Sequence, residues 1–517
     1  MCSVEFQLWN RMIVSFLLCL TAFTLILALY VRKHTEWKNP PPGPRIHPVI
    51  GALPTMVSLD PVPHLGFHSL SKMFGPVVRV LLGLQNMVIL GRYEEIKEAT
   101  FHEDLDSRAY FSTGSLIRFG FNPTSSISFF GTPLQDSGID QVTQWKELRR
   151  FTLKTLRDMG FGKSASAESM VYETTILMDF IKKRRNEETG IVKNIGQIFS
   201  CASLNVIWNL IAAGRFNYDD ENMFKLIEHT NAFMRLGRDV IGKPFGSIPF
   251  LRFFPPYKAK FDSLLEGITH FKESLQETVT ERKMKMVAED PSCYIDAFLD
   301  KVLKDETGIY TEDQLVHICM DMFLAGAETT SKTQEFIIAM MLNYPEVQQK
   351  VQDEMDSVMK DKPAISWEDK EKLPYAEATM AEIWRVCNIA PFGPPRTAKK
   401  EVQFKDYKLP PNASVFYNTY TLHMDEDHWG DPLQFRPERF VEGGKFKADE
   451  MLFPFGIGRR RCLGETMARM ENFIFFANLM LNFKFSMVGN APPSLEPQSG
   501  FTNGPFPFEV KVEIRSR

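Results

Sequence analysis

The feature that most constrains this chain is one long, uninterrupted helical pattern over residues 311–342. Thr311 reads as its N-cap, Glu312 and Asp313 occupy the first turn, and Tyr344-Pro345 ends it. At roughly thirty residues such a helix would be about 45 Å long, a length that belongs to a helix running through the centre of a large domain. Helical patterns with charged faces and no internal proline also cover residues 141–158, 164–184, 202–213, 222–235, 258–287 and 466–481. Val77, Val78, Val80, Val88 and Ile89 flank a turn at Gly83 and predict a hairpin. The expected fold class is therefore mainly α with small β-sheets, α+β. A chain of 517 residues, 44% hydrophobic and 24% charged, has enough apolar side chain for a large core, and length alone leaves the number of domains open.

A formal net charge of -4 argues against nucleic acid as a partner, because phosphate recognition needs a basic surface. The seven cysteines (Cys2, Cys19, Cys201, Cys293, Cys319, Cys387 and Cys462) stand singly, without a CxxC pair, so no disulfide framework is expected. Six of them read as small buried hydrophobes. Cys462 differs in its neighbours.

Residues 12–31 form a run of twenty without a charge, long enough to cross a bilayer as a helix. A cleaved signal peptide is the competing reading, but the run is long for one and no small-x-small site follows it. Glu5 and Arg11 cancel before the span, whereas Arg32, Lys33 and Lys38 follow it, which places residues 1–11 in the lumen and the rest in the cytosol. Pro40-Pro41-Pro42-Gly43-Pro44 ends a basic linker over residues 32–44, and residues 45–517 are expected to form the functional domain. The proline-rich, apolar segment 241–257 is balanced between a membrane-touching surface and an ordinary buried loop.

Phe455-Gly456-Ile457-Gly458-Arg459-Arg460-Arg461-Cys462-Leu463-Gly464 carries most of the chemistry. Its glycines allow a tight turn that brings backbone amides to the sulfur, and arginines with a following helix N-terminus favour the thiolate. A plain buried cysteine in a basic, glycine-rich turn is the alternative. The loop meets in full the F-x-x-G-x-R-x-C-x-G pattern of the cytochrome P-450 family, through Phe455, Gly458, Arg460, Cys462 and Gly464, and here the chain resembles that family. A chance match is on the order of 10⁻⁴.

Four further motifs carry the resemblance along the chain. Glu382 and Arg385, three apart on one helical face, would be a surface ion pair by themselves; in the family they join an arginine from the segment that stands here as Phe435-Arg436-Pro437-Glu438-Arg439-Phe440. Ala325-Gly326-Ala327-Glu328-Thr329-Thr330 lies in mid-helix, where glycine is costly, and a solvated turn is its plainer reading. The resemblance instead gives Gly326 the role of making room over a haem, and Glu328 with Thr329 the delivery of protons. Trp145 and Arg149 share a helical face and by resemblance hold one haem propionate, with Arg396 on the other and Arg460 completing the set. Two features depart from the family: residues 131–144 are longer than the usual glycine turn, and Pro394-Pro395 is unusual.

The resemblance, closest in wording to animal microsomal members, implies a cytochrome P-450 fold behind one transmembrane helix. It implies haem b held by Cys462 as iron ligand, with Phe455 in the cofactor site, and a monooxygenase acting on a hydrophobic small molecule such as a steroid, terpenoid, fatty acid or xenobiotic. Electrons would come from NADPH through a flavoprotein reductase, with cytochrome b5 as a second donor, docking near Lys146, Arg150, Lys445, Lys447, Arg459 and Arg461. The setting would be the endoplasmic reticulum membrane, with the catalytic domain facing the cytosol. Residues 111–121, Phe323, Ala327, 389–393 and 501–504 are the expected substrate-facing positions. Two rivals stay open: a haem-thiolate isomerase or dehydratase working without a reductase, and a non-catalytic membrane haem sensor. Asn412-Ala413-Ser414 matches a glycosylation sequon that a cytosolic domain would not use.

Overall fold

A computed structural model describes residues 13–29 apart from 19 and 26, 37–108 apart from 48, 49, 61, 83 and 84, 141–236, and 249–516 apart from 288, 289, 360, 361 and 399. The Gly83 turn, residues 1–11, Arg32 and Lys33, the candidates at 111–121, most of the long stretch before Trp145, and 241–248 lie outside the described residues.

Strands β1 (Val77–Leu82) and β2 (Gln85–Leu90) pair antiparallel, Val77 opposite Leu90, as the alternation of branched residues predicts. With β3 (Ser107–Arg108), β4 (Arg396–Thr397) and β5 (Ser414–Tyr417) they make a five-stranded sheet in the order β1-β2-β5-β4-β3. The β2–β5 pairing is parallel, so strands more than 300 residues apart in sequence share one sheet. A second sheet joins Phe483–Met487, Val510–Ile514 and Ile191–Val192.

The helices that build the site are α1 (Gln141–Asp158), α2 (Ser164–Arg184), α3 (Ile195–Ala212), α4 (Glu221–Arg235), α5 (Tyr257–Lys285), α6 (Glu312–Asn343), α7 (Pro374–Cys387) and α8 (Glu465–Asn482). Helix α6 is the central one, buried along nearly its whole length and packed against α3, α5 and α8. Thr311 caps it, its Oγ1 accepting the Gln314 amide at 3.1 Å. The Ala325–Thr330 segment stays helical rather than forming a turn. Helix α3 begins at Ile195, seven residues before the predicted start at 202. Its first turn contains Gly196, where a Cβ would lie 2.5 Å from Glu335 Cδ of α6; the glycine answers a tertiary contact and weakens the local helix signal. Although α3 is apolar enough to cross a membrane, 72% of it is buried, which makes it a core helix.

Residues Ile13–Leu29 form a separate apolar helix with Phe16, Leu18 and Phe23 exposed, fit to serve as an N-terminal span. In the segment after α4, a short 3-10 turn at Pro249–Phe253 presents Phe250, Phe253 and Phe254 to solvent instead of burying them.

Candidate active site

Side chains from α1, α3, α6, α8, β4, β5 and the loop before α8 line a cavity of about 450 Å³. Cys462 forms part of its wall. The loop that carries it turns at Gly456 and Gly458, both in the left-handed region with φ of 72° and 73°. At Gly458 a Cβ would also fall 2.4 Å from Thr100 Cγ2, so only glycine fits. The Cys462 amide donates to Phe455 O at 2.8 Å and closes the loop. Its sulfur opens to the cavity yet is enclosed by protein, and that enclosure pushes the thiol up, outweighing the Gly464 amide and the Arg149 charge that favour the thiolate. The Gly464 amide and the Arg149 charge act on the sulfur in the direction the sequence predicts.

Beside the sulfur lies a cluster of guanidiniums. Arg460 stacks on Trp145, its Cζ 3.3 Å from the ring centroid, with Arg149 at 5.7 Å from the same ring. Arg149 Nη2 donates to Arg461 O at 2.7 Å. Arg460 Nε donates to Asp106 O at 2.8 Å, while its buried Nη1 has no hydrogen-bond partner among the described residues. Arg396 Nη1 donates to Thr100 O at 3.0 Å and reaches Asp106 Oδ1 at 3.3 Å. Arg108, a position no sequence motif marked, donates to Pro394 O at 2.5 Å. It stands directly opposite Arg396 in the β3–β4 pairing, an arrangement that by itself destabilises a sheet. Burial followed by the charge of Arg108 holds Arg460 down to about 8; burial followed by the charge of Arg396 holds Arg108 down to about 9. Five arginines, Arg108, Arg149, Arg396, Arg460 and Arg461, thus line one cavity, and Asp106 pairs with Arg396 beside it. Such a cluster calls for an anionic ligand. A flat group bearing two carboxylates and a metal that accepts sulfur satisfies both the arginines and Cys462, and haem is such a group.

The cytochrome P450 family model matches residues 41–512. This chain belongs to the cytochrome P450 family. It is 30% identical over 496 residues to cytochrome P450 2J5 of Mus musculus, covering 95% of each chain. It is 30% identical over 499 residues to cytochrome P450 2D15 of Canis lupus familiaris, covering 95% of this chain and 96% of the relative. Cytochrome P450 2F2 of Rattus norvegicus is 29% identical over 519 residues, 96% of this chain and 99% of the relative. Members of the family bind haem b through a cysteine thiolate, and this P450 is an oxidoreductase, a haem-dependent monooxygenase.

Asp321, Met322, Leu324, Ala325, Gly326, Thr329, Thr330 and Thr333 of helix α6 line the cavity. Phe323 and Ala327, predicted to face substrate, fall on other faces; Phe323 packs into the core against Trp208 and Phe271, at ring distances of 6.0 and 4.8 Å. Glu328 is likewise turned away from the cavity, so the structure separates it from Thr329. Adjacent helical residues lie about 100° apart, a signal already present in the sequence. Thr329 Oγ1 donates to Ala325 O at 2.6 Å. The missing Cβ of Gly326 points at Ile207, 3.2 Å from its Cγ1, so this glycine lets α3 and α6 approach as well as lining the cavity.

Ile389, Ala390, Phe392 and Gly393 line the cavity as predicted, with Phe501 and Thr502, whereas Asn503 and Gly504 do not. Phe455 is on the wall and packs edge-on against Trp384 at 5.6 Å, with Arg469 4.8 Å from each ring. Glu471 of α8, also unmarked by the sequence, adds a buried carboxyl pushed up to about 8 by burial.

Behind the cysteine loop, Glu382 and Arg385 of α7 pair through two bonds of 2.7 and 2.8 Å, and Arg439 Nε donates to Glu382 at 3.0 Å. Glu382 and Arg385 are fully buried. Arg385 also donates to the carbonyls of His423 and Pro432, at 2.8 Å each.

Proposed function

We propose that this P450 is a membrane-anchored monooxygenase that inserts one oxygen atom from O₂ into a hydrophobic small molecule, with Cys462 as the thiolate ligand of its haem. The observation that carries this reading is the Cys462 sulfur opening beside five arginines into a cavity otherwise walled mainly by apolar side chains. When bound, the haem supplies the oxygen-activating chemistry, which a thiolate ligand promotes by donating electron density. Trp145, Arg149, Arg396 and Arg460, joined by Arg108, neutralise and orient the propionates, and Phe455 packs the cysteine loop. Met322, Ala325, Ile389, Phe392 and Phe501 select an apolar substrate by burial, in the range of steroids, terpenoids, fatty acids and xenobiotics. Thr329 holds a hydroxyl at the cavity wall, and Glu328 serves as the buried acid from which protons reach the cavity, held up to about 7 by burial.

The electrons come from NADPH through a flavoprotein reductase, with cytochrome b5 as a second donor. Lys146, Arg150, Lys445, Lys447, Arg459 and Arg461 offer them a positive surface; Arg150, Lys447 and Arg459 have internal partners in Glu147, Glu442 and Asp106 that a docking acid would compete for. The Ile13–Leu29 helix anchors the protein in the endoplasmic reticulum membrane, and the exposed Phe250, Phe253 and Phe254 rest on its cytosolic face.

The reduced protein with carbon monoxide should show the long-wavelength Soret band of thiolate ligation, and Cys462→Ala should abolish it. A wild-type protein without that band would end the ligand assignment. With reductase, NADPH consumption should rise on adding an apolar substrate; product formed without NADPH would instead support an isomerase or dehydratase, and no turnover of any kind a haem sensor.

A further inference from the structure

Glu328 is joined to the cavity by a residue far away in sequence. Thr502 Oγ1 donates to Glu328 Oε2 at 2.6 Å, and Thr502 lines the main cavity where Glu328 does not. Glu328 borders a second, polar void of about 10 Å³, enough for about one water, with Asn231, Arg235, Lys332 and Gln498 around it. Among the described residues, only Thr502 lines both spaces. Thr329 makes no comparable link, since its hydroxyl proton is given to its own helix at Ala325 O.

The turn holding Thr502 is clamped on both sides. Phe501 N donates to Met234 O of α4 and Asn503 N to Ile389 O, each at 2.7 Å. Gln498 and Gly504 exchange amide bonds of 2.7 and 3.2 Å. At Gly500 a Cβ would lie 2.6 Å from Met234 O, so the turn sits directly on α4.

We propose that Thr502 is the hydroxyl through which Glu328 passes protons into the cavity, an inference that rests on the monooxygenase reading above. The Glu328 carboxylic acid gives its proton to Thr502 Oγ1 as Thr502 releases its own hydroxyl proton to an acceptor in the cavity. Glu328, left as carboxylate, regains a proton from solvent through the polar void. Thr502 ends unchanged, and one proton has moved inward with no electron transferred. The charged groups facing Glu328 are Lys332 and Glu335 from its own helix and Arg235 from α4. Lys332 is bound to Glu335 at 2.7 Å, leaving Thr502 as the hydrogen-bond partner of Glu328.

Two measurements on the full-length, haem-loaded protein test this. In the resting enzyme, the infrared carbonyl stretch of protonated Glu328, assigned by its loss in Glu328→Gln, should titrate at higher pH in Thr502→Val, because the carboxylate loses its donor; Thr502→Ser should restore it. In turnover with reductase, product per NADPH should fall on the order of tenfold in Thr502→Val, with peroxide released instead, and recover in Thr502→Ser. An unmoved band in Thr502→Val, unchanged coupling, or equal losses in the valine and serine variants would overturn the proposal. Absence of NADPH-dependent oxygenation in wild type would defeat the monooxygenase reading instead, and the infrared titration would still decide whether Thr502 governs Glu328.

Discussion

The molecule holds two buried clusters of charge, and they are built oppositely. Around Glu382, Arg385 and Arg439, the carboxylate oxygens are bound and backbone carbonyls take further guanidinium hydrogens. Around Arg108, Arg149, Arg396 and Arg460, positive charge faces a cavity with Asp106 as the nearby acid, and two arginines oppose each other across strands. A closed network has no valency left for a ligand and acts as scaffold. An open one is a site, because the protein alone does not balance it.

The largest expected effect comes from breaking the closed cluster. Glu382→Ala strands two buried guanidiniums and should cost about 3–5 kcal/mol, seen as loss of folded, haem-loaded protein and a collapse of the thermal midpoint. Glu328 tests the same rule with a single buried acid. Its folded-state value, about 7 against an ordinary 4.5, means the neutral form is favoured by folding. That contribution is complete below about pH 4.5 and is lost as pH rises through about 7, amounting to about 3 kcal/mol at most. Glu328→Gln should therefore flatten the dependence of unfolding midpoint on pH across that window, with a residual slope owed to Glu335, Glu354 and Glu471, which shift the same way.

Opening the second cluster further should do the reverse of breaking the first. On the proposed propionate contacts, Arg460→Leu and Arg396→Leu would each remove a charge-assisted bond of about 1.5–3 kcal/mol, so haem should dissociate about tenfold faster or more. The unfolding midpoint of the haem-stripped protein should not fall, since each change relieves repulsion among arginines. A midpoint that drops as it does for Glu382→Ala would erase the distinction. The smallest effect separates packing from charge: Gly326→Ala presses a methyl on Ile207 Cγ1 and should cost about 1 kcal/mol, a cost that should vanish in an Ile207→Ala background, which lacks that carbon, in a double-mutant thermal denaturation.

Much of this architecture is legible in the sequence, because its determinants are local. The Thr311 cap, the bounds of α1 and α2, the β1–β2 hairpin and the glycines of the cysteine loop follow from propensity, periodicity and the conformation only glycine tolerates. Trp145 with Arg149 and Glu382 with Arg385 declare themselves by helical spacing. Tertiary structure decided what spacing cannot. Periodicity places Glu328 and Thr329 on different azimuths of α6 but does not say which one meets the cavity; packing against α3 and α5 fixed that. Arg108 joins the site because β3 pairs with β4, and Thr502 reaches Glu328 across 174 residues. Long-range pairings of this kind leave no periodic trace in the chain, since their energy depends on which surfaces meet after the core has closed.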